Sequence, residues 1–536
     1  MIGRLAWAAL AMLAWAAPAL AEERPSEDEM FGPGPAPTPA PAPEPVPPPS
    51  AGPVGPSTAT ATSTATGTAT STESGAKDAR DWVNLGSPGQ IPALSAEVAP
   101  EDPLKIGGQI YLRAQTSAQE DQSPGDWSLT APSLLDAYMD VRPNDRVRGF
   151  VLGRMSYDPT LPDTATSPSL ATGGGATGTE GTTTLNSIFS AQSTRTPRVV
   201  LDQMWLRFDL LHRVFVTAGR QHVRWGTGRF WTPTDFLHIR RRNPLDVFDA
   251  RTGTTMVKFH VPWEERGWNF YAYALTENTD ATRTLGKVSG AARAEVVLGT
   301  AELGLGGVVA RGRKPKLAAD LSMGIWDLDF YGEAALRWAS EISRVAVSPA
   351  QGNMVALLVA LDQAKAGNLT PLPPAVDAAF PAAPGTGVKP QVTGGVSYSM
   401  QYADKDVLTF GGEYFYNGLG YSDPAVYPGL FLPRSTVLNE PASFFYFGRH
   451  YAGLFVTAPA PYSWDNTTFT LSNLMNISDR SGITRLDYTR ILLTHLRFEA
   501  YGALRWGHSD GEFRLGLFGL SSPALFDVGV GLRVAI

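Results

Sequence analysis

Cysteine is absent from this chain of 536 residues. Its absence excludes disulfides, thiolate metal sites and a lipidated N-terminal cysteine. Histidine is scarce, at seven residues, so no metal cluster and no cofactor is expected. Positive charge is not in excess: the formal net charge is -7, which argues against nucleic acid as a partner. Charged residues make up only 18%, whereas glycine (54) and proline (43) are abundant, a balance unlike that of ordinary cytosolic proteins. After the first twenty or so positions, no run of ~20 apolar residues offers a transmembrane helix. Met354 to Ala366 is the longest helical candidate, with Asn353 as cap and Gly367 as stop, and it is too short to span.

Catalytic motifs are missing as well. H-E-x-x-H, G-x-S-x-G and Walker A patterns do not occur. Gly173, Gly175 and Gly178 satisfy G-x-G-x-x-G inside a Thr/Gly-rich loop with no strand before it or helix after it, so the match is incidental. His238, His450 and His508 stand without a nucleophile at a useful spacing. The chain is not expected to be an enzyme.

What is present falls into three parts. Residues 1–21 read as a secretory signal: Arg4, an apolar run from Leu5 to Ala17, and Ala19-Leu20-Ala21 as the cleavage site. Residues 22–100 read as a disordered linker in the periplasm, able to reach a periplasmic protein partner. Its Pro35 to Pro49 stretch favours extended polyproline II, and Thr58 to Thr72 is polar and low in complexity, so neither has a face to bury. Residues 101–536 alternate apolar and polar side chains in short segments. Leu135, Ala137, Met139 and Val141 oppose Asp136, Tyr138, Asp140 and Arg142, and Val528, Val530, Leu532 and Val534 oppose Asp527 and Arg533. Period two means one apolar and one polar face per strand.

Connection lengths separate a membrane barrel from a soluble sandwich. Short turns are expected at Pro143 to Arg146, Leu211 to Arg213, Pro262 to Arg266, Gly299 to Ala301, Trp326 to Asp327, Ala403 to Asp406, Pro459 to Tyr462 and Leu492 to Thr494. The connections between them are mostly long. The fold class implied is all-β: a transmembrane antiparallel up-and-down β-barrel of about 18 strands, with short periplasmic turns and long external loops. Hydrocarbon supplies no hydrogen bonds, so the strands must close into a ring, apolar side to the outer-membrane lipid and polar side to a watery lumen.

The inferred lumen face is rich in arginine. Arg146, Arg148, Arg154, Arg207, Arg220 and Arg224 fall on three consecutive strands, with only Asp209 apparent as an acidic partner. Arg220, His222 and Arg224 recur at every second position and are expected to line the wall. A long basic, aromatic loop follows, from Trp225 to Thr252, carrying Arg229, Arg240, Arg241 and Arg242. Gly226 and Gly228 permit a tight reversal, and Asp246, Asp249 and Arg251 are placed to pin the loop to the wall by ion pairs. The loop either folds into the lumen as a constriction or caps the outer mouth. Guanidinium rings attract anions, although arginine also pairs with acidic neighbours across strands.

G-R-Q-x-x-x-W-G (Gly219, Arg220, Gln221, Trp225, Gly226), then P-x-D (Pro233, Asp235) and N-P-L-D (Asn243 to Asp246), resembles Gram-negative outer-membrane barrels of the porin and alginate-export-like type. The resemblance is carried by about forty residues and, beyond them, by the strand pattern alone. It implies passage of solutes or of polysaccharide. The final Ile536 departs from the aromatic terminus of many such barrels. Three functions remain open: a channel for small anionic solutes, an export conduit for an acidic polysaccharide, or a structural or adhesive surface barrel with a closed lumen.

Overall fold

The computed structural model describes residues 103–160, 197–211, 213–238, 241–246, 251–276, 288–347, 379–402, 406–430, 444–516 and 522–535. The signal and linker expectations, and the helical candidate at Met354 to Ala366, lie outside these residues.

Eighteen antiparallel strands close into one barrel. They are β1 (Leu104–Gln119), β2 (Ser133–Asn144), β3 (Val147–Tyr157), β4 (Arg198–Leu210), β5 (Val214–Gln221) and β6 (Thr254–Trp263). Next come β7 (Trp268–Leu275), β8 (Ser289–Leu298), β9 (Ala301–Val309), β10 (Lys316–Ile325), β11 (Leu328–Trp338) and β12 (Val388–Gln401). The ring is completed by β13 (Val407–Asn417), β14 (His450–Pro459), β15 (Thr467–Asn476), β16 (Ser481–Leu493), β17 (Leu496–Gly507) and β18 (Ala524–Ala535). Each pairs with the strand before it, and β18 pairs with β1, Gln109 opposite Ala535. A short strand, Ser128–Thr130, adds to β1, and Ser343–Val345 with Ala382–Pro384 form a separate hairpin.

The two faces separate as the alternation demands. Met139, Leu206, Leu454 and Val530 are exposed on the outer wall, while Asp136, Glu295, Glu413 and Arg505 are buried within. A soluble protein would have the reverse arrangement. A ring with no free edge leaves no unpaired backbone for the apolar wall to carry.

Among the described residues, the expected short connections gather at one rim. The other rim is uneven. The connections 158–197, 222–253, 339–387, 418–449 and 508–523 are long, but 310–315 and 477–480 are short. Trp263, Trp326, Tyr402 and Trp464 are exposed near the tight turns, where amphipathic rings suit a membrane interface.

Candidate functional site

The inward wall is built of ion pairs. On β2 and β3, Arg154 grips Asp136 through two bonds of 2.9 and 3.2 Å and also faces Asp202 at 3.3 Å. Arg148 grips Asp140 at 2.9 Å twice, and Arg146 holds Asp209 at 3.0 and 3.2 Å. The expectation of Asp209 as the sole acidic partner is therefore corrected. Asp136 stands directly opposite Arg154 in the register, and a bulge between β3 and β4 carries the Asp202 carboxylate inward beside it. Elsewhere Arg293 chelates Asp320 at 2.6 and 2.8 Å, Arg505 holds Asp527 at 2.6 Å and Arg533 holds Glu499 at 2.6 Å. Arg207 takes an inward place opposite Thr217.

A second correction concerns Arg220. Its cross-strand neighbours are Met204 and Thr255, and Met204 is half exposed on the outer wall. The inward residues of β5 are Thr217 and Gln221, both buried, and Gly219 between them. Sequence reading assigned the charged residues to the lumen, but here the small and amide residues point inward and the guanidinium points outward. The strand ends at Gln221, so His222 and Arg224 no longer follow its alternation. His222 turns to Asp202, with Nε2 at 3.0 Å from Oδ1, and Arg224 donates to the Gly228 carbonyl at 2.5 Å.

The segment after Gln221 lies inside the barrel and reaches walls far from β5. Glu413, on β13, accepts the backbone N–H groups of Arg229, Phe230 and Trp231 at 2.8, 3.1 and 2.8 Å. Tyr331 and Thr393 donate to the same carboxylate at 3.0 and 3.1 Å. Glu333, on β11, accepts from the Gly228 N–H at 2.5 Å and from the Thr234 hydroxyl at 2.6 Å. Carboxylates are stronger acceptors than carbonyls and saturate these N–H groups without regular secondary structure. Gly226 and Gly228 are needed here: a Cβ at the former would strike the Glu333 carboxylate, at the latter the Trp231 carbonyl, and Gly226 also has φ +96°.

Apolar packing fixes the same segment. Trp231 is fully buried, stacks on Phe415 at 5.7 Å and 16°, and gives its indole N–H to the Phe445 carbonyl at 3.0 Å. Phe230, Phe455, Tyr451, Tyr501 and Phe513 complete this inner cluster. Trp225 and Phe236 join Met256, Tyr271 and Tyr273 in another, against the opposite wall. Burial of each large ring stabilises the fold by roughly 1.5–3 kcal/mol.

Within the segment Arg251 pairs with Asp235 at 2.9 Å, and His238 meets the same carboxylate at 3.1 Å. Burial alone would raise the Asp235 carboxyl, but His238 and Arg251 together hold it below the usual carboxylate range. Burial, with Arg251 beside it, pushes the His238 imidazole down. Arg251 thus braces the loop internally through Asp235. Asp246 does lie within electrostatic range of Arg113 on β1. Arg241 lies over the Tyr446 ring at 4.6 Å and reaches Gln391 at 3.4 Å. Arg242 is half-buried beside it, whereas Arg240 and Asp249 lie outside the described residues.

Arg224 and Arg229 differ from the wall arginines. Both are exposed, and among the described residues neither guanidinium has a carboxylate at ion-pair distance. Arg229 lies over the Phe455 ring at 3.7 Å, with its tip 3.5 Å from the Thr457 hydroxyl, towards the tight-turn end of β14. The sequence marks these arginines. It carries no sign of Glu333, Glu413 or Phe455 as their supports, because those contacts span the barrel.

No family model and no curated protein matches the chain. Among solved structures it is similar to Pseudomonas aeruginosa OccK11 (OpdR), at 8% identity and TM-score 0.42, over 81% of this chain and 96% of that one. It is also similar to a mutant of the Rh. blastica porin, at 10% identity and TM-score 0.34, over 81% of this chain and 100% of that one.

Proposed function

We propose that the protein is an outer-membrane channel that passes polar, anionic solutes through a lumen narrowed by the segment from His222 to Gly253. The observation that carries this reading is the Glu413 carboxylate, which ties three successive N–H groups of the segment across the lumen and leaves the Arg229 guanidinium exposed beside them. Most of the charge on the wall is internally neutralised, so the net field of the passage comes from Arg224 and Arg229, with Arg241 and Arg242 near the outer mouth. Guanidinium stays charged at any accessible pH. An exposed guanidinium beside a low-dielectric wall concentrates anions. On this reading the tight-turn rim faces the periplasm, where residues 22–100 and any protein partner of theirs would lie.

The test is a planar-bilayer measurement on the purified barrel. Anion preference at low ionic strength, weakened by added salt, supports the reading. Cation selectivity overturns it.

Two aromatic clusters inside the barrel favour a second reading, a structural or adhesive barrel with a closed lumen. A purified barrel that inserts yet conducts no ions would establish it. An export conduit for acidic polysaccharide, the alginate-export-like type, would share the cationic constriction. Block of the ion current by a polyuronate, absent with a neutral glucan, would favour that variant.

A further inference from the structure

The short connection 310–315 carries charge that the constriction does not use. It joins β9 to β10 at the long-connection rim and reads Ala-Arg-Gly-Arg-Lys-Pro. The Arg313 N–H closes a turn on the Ala310 carbonyl at 3.1 Å, with Gly312 at φ +77°. So short a connection, spent largely on its own reversal, has no length left to cross the lumen. Its cations stay at the edge of the wall.

Two of them are open. Arg311 sits at the corner of the turn, before Gly312, and is exposed. Among the described residues, no carboxylate and no ring touches its guanidinium. Lys314 is exposed too, and its ammonium lies 5.6 Å from the centre of the Trp338 ring. The Glu341 carboxylate accepts the backbone N–H of Lys314.

The outer wall fixes the level of these cations. β9 rises from its tight turn to Val309 and β10 descends from Lys316, so the connection is the furthest point of this hairpin. Val309 and Leu317, the outward residues directly below it, are 60% and 54% exposed. Leu317 stands opposite Leu336, also exposed, and alternation along β11 turns the buried Arg337 inward and Trp338 outward. Positive charge therefore ends an apolar wall, beside an indole of the kind that marks a membrane interface. A lysine at such a boundary lays its stem on apolar surface and keeps its ammonium at the polar edge. A guanidinium and an ammonium suit the oxygens of a phosphate, and the wall below suits acyl chains.

We propose that Arg311 and Lys314 bind the phosphate of an anionic lipid headgroup on the outside of the barrel, at the long-connection rim. This rests on the membrane-spanning reading given above. Val309, Leu317 and Trp338 select a lipid over a free ion, which would gain nothing from that wall.

Because the chain has no cysteine, one fluorophore can be placed on the wall below the site through Leu336→Cys. The labelled full-length protein is reconstituted into vesicles of phosphatidylcholine with a minor share of phosphatidylglycerol. Quenching by nitroxide-labelled phosphatidylglycerol is compared with quenching by nitroxide-labelled phosphatidylcholine at equal mole fraction. The anionic lipid is expected to be enriched about fivefold at this label, the scale of one basic residue at an anionic surface. A label at Leu454→Cys, on the outer wall of β14, should report no enrichment. Arg311→Gln with Lys314→Gln should bring the ratio near one while the barrel still migrates as folded on unheated gels. Arg311→Lys with Lys314→Arg should keep most of it. Enrichment that survives in the folded double Gln variant overturns the proposal, and so does equal enrichment at Leu454→Cys, because the attraction would then belong to the whole barrel. Loss of the enrichment on adding millimolar inorganic phosphate also overturns it, because the site would then take the free ion. Protein that fails to enter vesicles at all overturns the membrane reading instead, and the two failures are thereby distinct.

Discussion

Glu413 and Trp231 meet through a carboxylate oxygen and a backbone N–H 2.8 Å apart, although one stands on the barrel wall and the other on the segment inside it. The same carboxylate holds the two preceding N–H groups. One side chain therefore holds three successive N–H groups of that segment.

Glu413→Ala should release that segment without opening the ring, since no β-ladder bond is lost. Each buried N–H left without an acceptor costs roughly 1–3 kcal/mol. Single-channel conductance is expected to rise severalfold, with heat-modifiable migration retained. Unaltered conductance would show that Glu333 and the aromatic packing hold the segment without Glu413.

Trp231→Ala addresses that packing. Removing a fully buried indole destabilises a packed region by roughly 3–5 kcal/mol. Hydrogen exchange should become faster across Phe230 to Phe236 and remain slow in β13 and β14. Wild-type protection in Trp231→Ala would mean that Phe415 and Tyr451 close over the gap.

Selectivity should follow Arg224 and Arg229, and stability should follow the wall arginines. Changing Arg224 and Arg229 to Ser together is expected to reduce anion preference in a planar bilayer severalfold. Arg154→Ser breaks a buried pair and should cost roughly 3–5 kcal/mol in denaturant unfolding, because Asp136 and Asp202 lose their cation. Its selectivity should change little. The opposite assignment of effects would return the anion field to the wall.

The arithmetic of the sequence carried the architecture a long way. Period two, the eight tight turns and the strand number are local properties, and each is visible in runs of ten residues. Arg220 shows where that reading stops. A one-residue change of register moves a side chain through the wall, and on β5 the inward residues are Thr217, Gly219 and Gln221, which carry no apolar or charged signature. The pairing of Arg154 with Asp202 was hidden for a related reason: the bulge that permits it leaves no mark in the composition. The contacts of Glu333 and Glu413 with the inner segment join residues 99 to 184 positions apart, beyond any local pattern.

The long connections contain a buried knot of hydrogen bonds around one carboxyl. Glu512 accepts from the Tyr451 hydroxyl at 2.6 Å, the Asn476 amide at 2.9 Å and the N–H groups of Tyr446 and Phe447. Burial, reinforced by Asp479, pushes its carboxyl from an ordinary value near 4.5 up to about 8. A raised carboxyl favours the folded state in its protonated form, so its contribution is complete below the ordinary value. That contribution is lost as pH rises through the interval up to about 8. The protection of the Tyr446 and Phe447 amides, exchange measured against its intrinsic rate at each pH, should fall across that interval in wild type and stay level in Glu512→Gln. A wild type with a flat profile would contradict the assignment.

Ring closure has a consequence for the order of assembly. Ile110 on β1 takes its ladder partner, Val534, from β18, at the far end of the barrel sequence. The other strands of the wall neighbour their predecessors and can add one at a time, but β1 must keep one edge unsatisfied until β18 exists. Pairings between such distant positions are slow to form, and an open edge invites pairing with the wrong chain. A newly made chain therefore depends on something that shields the edge of β1 during that delay, and substitutions that weaken the β1–β18 seam should reduce the yield of barrels more than the stability of those that have closed.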